Sequence, residues 1–149
     1  MPLNLKYLRC ATNNITHLDN LPDSLIELLC GGNKITNLDN LPDSLIELEC
    51  TSNKIANLDN LSPNLEKLKC DYNELTSLDK LPNSLIDLDC SGNNISSLNN
   101  LPLNLKNITF YYNPIYKTMN PCRLINIRHE PKITVEQIRK YCENLQPSI

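Results

Sequence analysis

Leucine and other apolar residues fall along the chain at intervals that restart every twenty residues, and the polar positions between them restart in step. Residues 21–40 read LPDSLIELLCGGNKITNLDN, and residues 41–60 return as LPDSLIELECTSNKIANLDN. Written in rows of twenty from Met1, residues 1–120 give six rows without an insertion. Self-similarity at a short fixed period is the signature of a solenoid, in which each row is one supersecondary unit stacked on the next.

The columns say how a row folds. Leu5, Leu8, Cys10 and Ile15 recur as Leu25, Leu28, Cys30 and Ile35, and the series runs on to Leu105, Ile108, Phe110 and Ile115. Alternation of apolar and variable residues around Leu28 and Cys30 predicts a short strand with one face buried. No row can cover its own leucines, so neighbours must. Stacked strands then form a parallel sheet at ~4.8 Å spacing, over a shared core about 29 Å long. An unbroken asparagine column, Asn13, Asn33, Asn53, Asn73, Asn93 and Asn113, stands where the chain leaves each strand. Its amide has donors and acceptors to satisfy backbone groups of its own turn and, on this reading, of the next.

The return half of each row, such as ITNLDNLPDS at residues 35–44, is too short and too rich in Asn, Asp and Pro for a helix. Pro22, Pro42, Pro82 and Pro102 lock φ and donate no hydrogen bond. This side is expected to run extended and polyproline-like, with Leu18, Leu38, Leu58, Leu78 and Leu98 turned inward.

Together the columns spell L-x-x-L-x-C-x-x-N-x-I, which resembles the leucine-rich repeat with cysteine in the third leucine's place. Rows of twenty with Leu-Pro ahead of L-x-x-L are similar to the short repeats of bacterial effector proteins, over residues 1–120. The chain departs from them where Asp39, Asp59 and Asp79 follow the leucine in place of a second proline. The L-P-x-S-L-x-x-L-x-C form with L-D-N also resembles leucine-rich repeat proteins of giant DNA viruses of the mimivirus type. The resemblance implies a leucine-rich repeat solenoid with a parallel β-sheet on the concave face, an extended convex side and protein binding on the concave face. For a virus or an effector, it implies a host-cell protein as partner and the host cytoplasm as location.

After Asn113 the pattern decays, and Pro114 and Pro121 interrupt it. Leu124, Ile127 and His129 keep the strand spacing with one residue lost, which predicts a degenerate seventh repeat over residues 121–133. Thr134 to Gln137 reads T-V-E-Q, a capping box, and Val135, Ile138, Cys142 and Leu145 share one face of a short capping helix over residues 134–146. The whole of residues 1–149 is expected to be a single domain.

Composition narrows the partners. A net charge of −3 lacks the basic footprint of a nucleic-acid binder, and no apolar run reaches membrane-spanning length. Met1-Pro2-Leu3-Asn4 enters the first repeat without a secretory signal, so the expected location is the cytoplasm. Five of the seven cysteines form the column Cys10, Cys30, Cys50, Cys70 and Cys90, while Cys122 and Cys142 stand outside it. Parallel side chains keep Cβ atoms ~4.8 Å apart, beyond the ~3.8 Å that a disulfide prefers. A line cannot surround a metal tetrahedrally either. The column reads as buried thiols acting as small hydrophobes in a reducing compartment.

Outward positions carry the candidate site. Tyr7, Glu27, Glu47, Lys67, Asp87 and Asn107 form one line across the strands, and Arg9, Leu29, Glu49, Lys69, Asp89 and Thr109 the other. Glutamates should face Lys67 and Lys69, which should face Asp87 and Asp89 in turn. Such ladders neutralise themselves, at ~0.2–1 kcal/mol per pair. Two features exceed them: an apolar patch of Ile26, Leu29 and Ile46 beside Gly31 and Gly32, and Tyr72, Tyr111 and Tyr112 around Gly92. In that column Tyr72 and Tyr112 flank a glycine gap about 9.6 Å wide, twice the strand spacing. These six residues are the candidate partner contacts, tyrosine being a common interface anchor. Packing of Tyr111 and Tyr112 on the C-terminal cap is the competing account.

No catalytic constellation assembles: the two histidines are His17 and His129, and no phosphate-binding glycine loop occurs. The reading is a non-catalytic interaction module with neither cofactor nor metal. One alternative is a substrate-targeting adaptor for a separate enzyme such as a ubiquitin ligase. Another is a calcium-stabilised structural element built on Asp19, Asp39, Asp59 and Asp79, which serve equally as turn-solvating residues. Leu3, Leu5, Leu8 and Cys10 open the first row as an unpaired edge, partly protected by Lys6 and Arg9, and this edge admits a weak homodimer through the first strand.

Overall fold

The structure, a computed structural model, describes residues 2–119 and 133–144. Six strands of three residues each, β1 (Tyr7–Arg9), β2 (Glu27–Leu29), β3 (Glu47–Glu49), β4 (Lys67–Lys69), β5 (Asp87–Asp89) and β6 (Asn107–Thr109), lie in chain order in one parallel sheet. The register advances by one row at every step, from Leu8 opposite Leu28 to Leu88 opposite Ile108. Only the middle residue of each strand turns inward, as the alternation requires.

Hydrogen bonds extend the ladder beyond the strands. Cys30 N donates to Glu49 O and Gly32 N to Thr51 O, both at 2.8 Å. Ahead of each strand from β2 to β6 two successive amides share one carbonyl, as when Ile46 N and Glu47 N donate to Ile26 O at 2.9 and 3.1 Å. That local two-against-one pairing leaves two consecutive side chains facing out.

The return halves of the first five rows contain no helix and run extended between turns. Prolines mark these turns: Leu25 N donates to Pro22 O at 3.0 Å and Leu45 N to Pro42 O at 3.1 Å. Ser62 takes the same place in the fourth row, where its carbonyl accepts from Leu65 N at 3.2 Å. Leu38, Leu58, Leu78 and Leu98 face inward and close the core against the strand-side leucines Leu45, Leu65 and Leu85.

The asparagine column works backwards along the stack. Asn93 Nδ2 donates to Cys90 O in its own turn and to Cys70 O in the preceding row, each at 3.0 Å, while its Oδ1 accepts from Leu75 N at 2.9 Å. Asn33, Asn53, Asn73 and Asn113 repeat the arrangement. The expected partner in the next row is therefore replaced by one in the row before. Parallel pairing explains the direction: the carbonyl at the tenth position of each row points toward the following row, and the asparagine there supplies the donor after the strand ends.

Pro114 does not interrupt the structure but begins a helix, α1 (Pro114–Met119), whose Ile115 is buried. The first helical position suits proline because its missing N–H would have been unsatisfied anyway. The second helix, α2 (Val135–Asn144), starts with the expected capping box. Thr134 N donates to Gln137 Oε1 at 2.8 Å, and Gln137 N to Thr134 Oγ1 at 3.2 Å. Val135 and Ile138 join the core, and Arg139 Nη2 donates to Pro102 O at 2.8 Å and Leu103 O at 3.0 Å. The anticipated seventh repeat, with Cys122, Leu124, Ile127 and His129, lies outside the described residues, as does Leu145.

Candidate functional site

Strand pairing assembles the outward lines as the columns require: Tyr7, Glu27, Glu47, Lys67, Asp87 and Asn107 are successive partners, as are Arg9, Leu29, Glu49, Lys69, Asp89 and Thr109. A third outward line, Thr51, Asp71, Ser91 and Tyr111, arises from the ladder bonds beyond Cys50, Cys70 and Cys90. The charges do not pair evenly. Lys67 Nζ lies 3.6 Å from Glu47 and Lys69 Nζ 3.5 Å from Glu49, while Arg9 reaches Glu27 at 3.3 Å. Asp87 and Asp89 face the same lysines in register yet have no cation within ion-pair distance among the described residues. Asp87 accepts instead from Asn107 Nδ2 and Asp89 from Ser91 N at 3.1 Å, and Asp71 accepts from Thr51 Oγ1 at 2.7 Å. The two-sided neutralisation expected of the ladder is one-sided.

The tyrosines sit just past the strands, on the turn. There the backbone is left-handed in every row: φ is 58° at Thr12, 66° at Gly32, 55° at Ser52, 53° at Tyr72, 63° at Gly92 and 59° at Tyr112. Bulky side chains rarely adopt this conformation, which glycine takes freely. Gly32 and Gly92 are the sequence signal for it, a column needing φ > 0. Tyr72 and Tyr112 occupy it nonetheless, each 55% exposed.

The glycine gap between them is covered, not open. A Cβ built on Gly92 would stand 2.7 Å from Cδ1 of Tyr72, so the Tyr72 ring lies across Gly92 and would have to move for any larger residue there. Tyr111 behaves differently. It is half-buried and meets Tyr116 of α1 edge to face at 5.3 Å between centroids, in a cluster with Phe110. Ile26 and Ile46 precede their strands, at the opposite end from Tyr72 and Tyr112, with Ile46 exposed and Ile26 and Leu29 half-covered. Ile26 and Ile46 thus lie at the start of the strands, and Leu29 at the end of β2, on the same side as Tyr72, Tyr111 and Tyr112.

The cysteine column is interior. Cys30, Cys50, Cys70 and Cys90 are fully buried free thiols, and Cys10 is partly covered. Loss of solvent pushes the Cys30 thiol up to about 12, helped by the neighbouring Cys10 and Glu49, and holds Cys50 and Cys70 far above the ordinary thiol range. Such thiols are not nucleophiles.

On the convex side Asp59 pairs with Lys80 at 2.9 Å, and Asp79 accepts from Ser77 and from Asn100 at 2.8 Å, bonds that hold its carboxyl below the usual range. Among the described residues no group of three or more His, Cys, Asp or Glu is placed to hold a metal, and no helix is long and apolar enough to cross a membrane. β1 leaves one edge of the sheet unpaired among the described residues, with Leu3 and Tyr7 exposed.

A sheet of twenty-residue turns with this asparagine ladder is a leucine-rich repeat solenoid. Among solved structures it is similar to YopM from Yersinia enterocolitica, at 37% identity over 76% of this chain and 25% of that one, with a TM-score of 0.72. It is similar also to a Shigella effector leucine-rich repeat domain, at 41% identity over 74% of this chain and 50% of that one, TM-score 0.70. The functional domain of InlJ from Listeria monocytogenes, described as including a cysteine ladder, matches at 30% identity over 74% of this chain and 30% of that one, TM-score 0.59. The chain spans between a quarter and half of the length of these bacterial neighbours. They give no support to the giant-virus resemblance. No protein-family model matches the chain, and no curated protein does.

Proposed function

We propose that this chain is a non-catalytic module that binds a protein partner on the concave face of its solenoid, with Tyr72 and Tyr112 as the principal anchors. The observation that carries this reading is the column of left-handed residues. At two of its positions the chain places large, exposed aromatic side chains where glycine would be easier, as Gly32 and Gly92 demonstrate. Left-handed strain retained at an exposed tyrosine is a mark of use. Tyrosine supplies broad contact area with a polar tip and orders few torsions on binding. Ile26 and Ile46 extend the contact toward the other end of the strands, Leu29 extends it along the face, and Tyr111 joins it from the aromatic cluster beside α1. Similarity to a Shigella effector domain favours a host-cell protein as partner and the host cytoplasm as the place of binding.

The test compares proteins captured from host-cell extract by the wild-type chain with those captured by Tyr72→Ala/Tyr112→Ala. A partner held by the first should bind the second at least about tenfold more weakly, ~1.4 kcal/mol, with no fall in melting temperature. Equal affinity for both would remove the tyrosines from the site.

A further inference from the structure

In β2 the backbone groups of Glu27 and Leu29 point to β1: Glu27 N donates to Lys6 O at 3.0 Å, and Leu29 O accepts from Cys10 N at 2.9 Å. The same alternation in β1 gives Leu8 to β2 and points the N–H and C=O of Tyr7 and Arg9 the other way, where β1 has no neighbouring strand among the described residues. A donor and an acceptor from each of two residues therefore stand along the open edge. The rim beneath them is apolar. Leu5, Leu8 and Cys10 are only half-buried there, whereas their counterparts Leu25, Leu28 and Cys30 are fully covered. Leu3, where the next two rows carry Asp23 and Asp43, is exposed.

We propose that this edge is occupied by β1 of a second copy of the chain, paired antiparallel about a two-fold axis at Leu8. That register uses every outward group. Tyr7 faces Arg9 of the second copy, the two exchange both backbone hydrogen bonds, and the axis repeats the exchange. An axis at Tyr7 would instead set Arg9 against Leu5, whose N–H and C=O are already bonded to Pro2 O and to the Ser24 hydroxyl. An axis at Arg9 would bring two guanidinium groups together.

Side chains select the same register. At Leu8 the axis places the exposed Tyr7 ring beside the exposed guanidinium of the other copy's Arg9, ~5.5 Å apart at Cα, where ring and cation attract. On the inner face the leucines at the axis meet each other and extend the core. The charged strands could not do this: the same operation would set Glu47 against Glu49, Lys67 against Lys69 and Asp87 against Asp89. A head-to-tail copy would have to meet the last row, where Arg139 of α2 already holds Pro102 O and Leu103 O. The two-fold contact closes at two copies and joins their concave faces into one arc.

Sedimentation velocity on the purified chain, over a concentration series up to about 1 mM, reads the dimer directly. A reversible monomer–dimer equilibrium is expected. Tyr7→Pro removes an outward amide that bonds nothing in the single copy, a place where an edge strand tolerates proline, and should weaken the dimer at least about tenfold. Tyr7→Arg should weaken it as well by setting like charges across the axis, and Tyr7→Arg/Arg9→Tyr should restore it, because the contact is reciprocal. Thermal melts followed by circular dichroism check folding, and if Tyr7→Pro folds poorly the exchange of Tyr7 and Arg9 decides alone. A monomer mass at every concentration, species that grow beyond the dimer, or a dimer indifferent to Tyr7→Arg overturns the proposal. No other protein enters the measurement, so its outcome is independent of the tyrosine site.

Discussion

The twelfth and thirteenth positions of each row share a turn and obey opposite rules. The thirteenth is asparagine in all six rows, and each copy from Asn33 to Asn113 makes the same bonds back to the preceding row. At the twelfth stand Thr12, Gly32, Ser52, Tyr72, Gly92 and Tyr112, although all share one left-handed backbone. Where the fold needs a particular side chain, the rows agree. Where it needs only a torsion angle, they differ, and Tyr72 and Tyr112 stand where glycine would hold the torsion more easily.

The sharpest break in the invariant interior would be a charge in the thiol column. Cys50→Asp buries a carboxylate between Leu48 and the neighbouring thiols with no cation in reach among the described residues, and the middle rows should unfold, seen as loss of the cooperative circular-dichroism transition. Cys50→Ala removes only a small apolar filler and should cost about 1 kcal/mol. The same burial gives the sign of the pH dependence. Thiols that ionise near 9.0 in the unfolded chain but only near about 12 at Cys30 in the fold leave stability complete below pH 9 and lost as pH rises toward 12. Between those values each such thiol should withdraw about 1.4 kcal/mol per pH unit, measurable by denaturant titration.

Asn73→Ala comes next. It strips partners from Cys50 O, Cys70 O and Ile55 N at once, in a buried turn. At about 1–3 kcal/mol for each orphaned group, a loss of ~3 kcal/mol or more is expected in urea unfolding. A loss under about 1 kcal/mol would mean that the rows are held by leucine burial alone.

The difference between the columns also separates what can be read in the sequence from what cannot. Period, strand positions, register and the inward columns are legible because a buried side chain repeats whenever its surroundings repeat. The capping box at Thr134 is legible because it is a local exchange of hydrogen bonds. The direction of the asparagine bonds is not, since it depends on which way the carbonyls of a parallel ladder point. Pro114 reads as an interruption in the sequence and is a helix start in the structure, because proline permits a helix start as readily as it forbids a helix middle. In the candidate site, exposure of Tyr72 and Tyr112 can be inferred from their outward column, but the cover that Tyr72 puts on Gly92 depends on a rotamer. The one-sided pairing of Lys67 and Lys69 depends on rotamers too.

The smallest effect is the most discriminating. Ser52 holds φ at 55° on an exposed turn and its side chain makes no hydrogen bond among the described residues, so Ser52→Gly removes left-handed strain and little else. It should raise stability by roughly 1 kcal/mol, with some offset from the greater freedom that glycine gives the unfolded chain. Tyr112→Gly relieves the same backbone conformation and should gain stability in the same direction. Partner binding should divide the two: unchanged in Ser52→Gly, lost in Tyr112→Gly. A tyrosine retained at the expense of the fold requires that combination, a variant more stable than the wild type and unable to bind. If Tyr112→Gly instead lowers the melting temperature, its ring supports the last row and the contrast between the two columns disappears at that position.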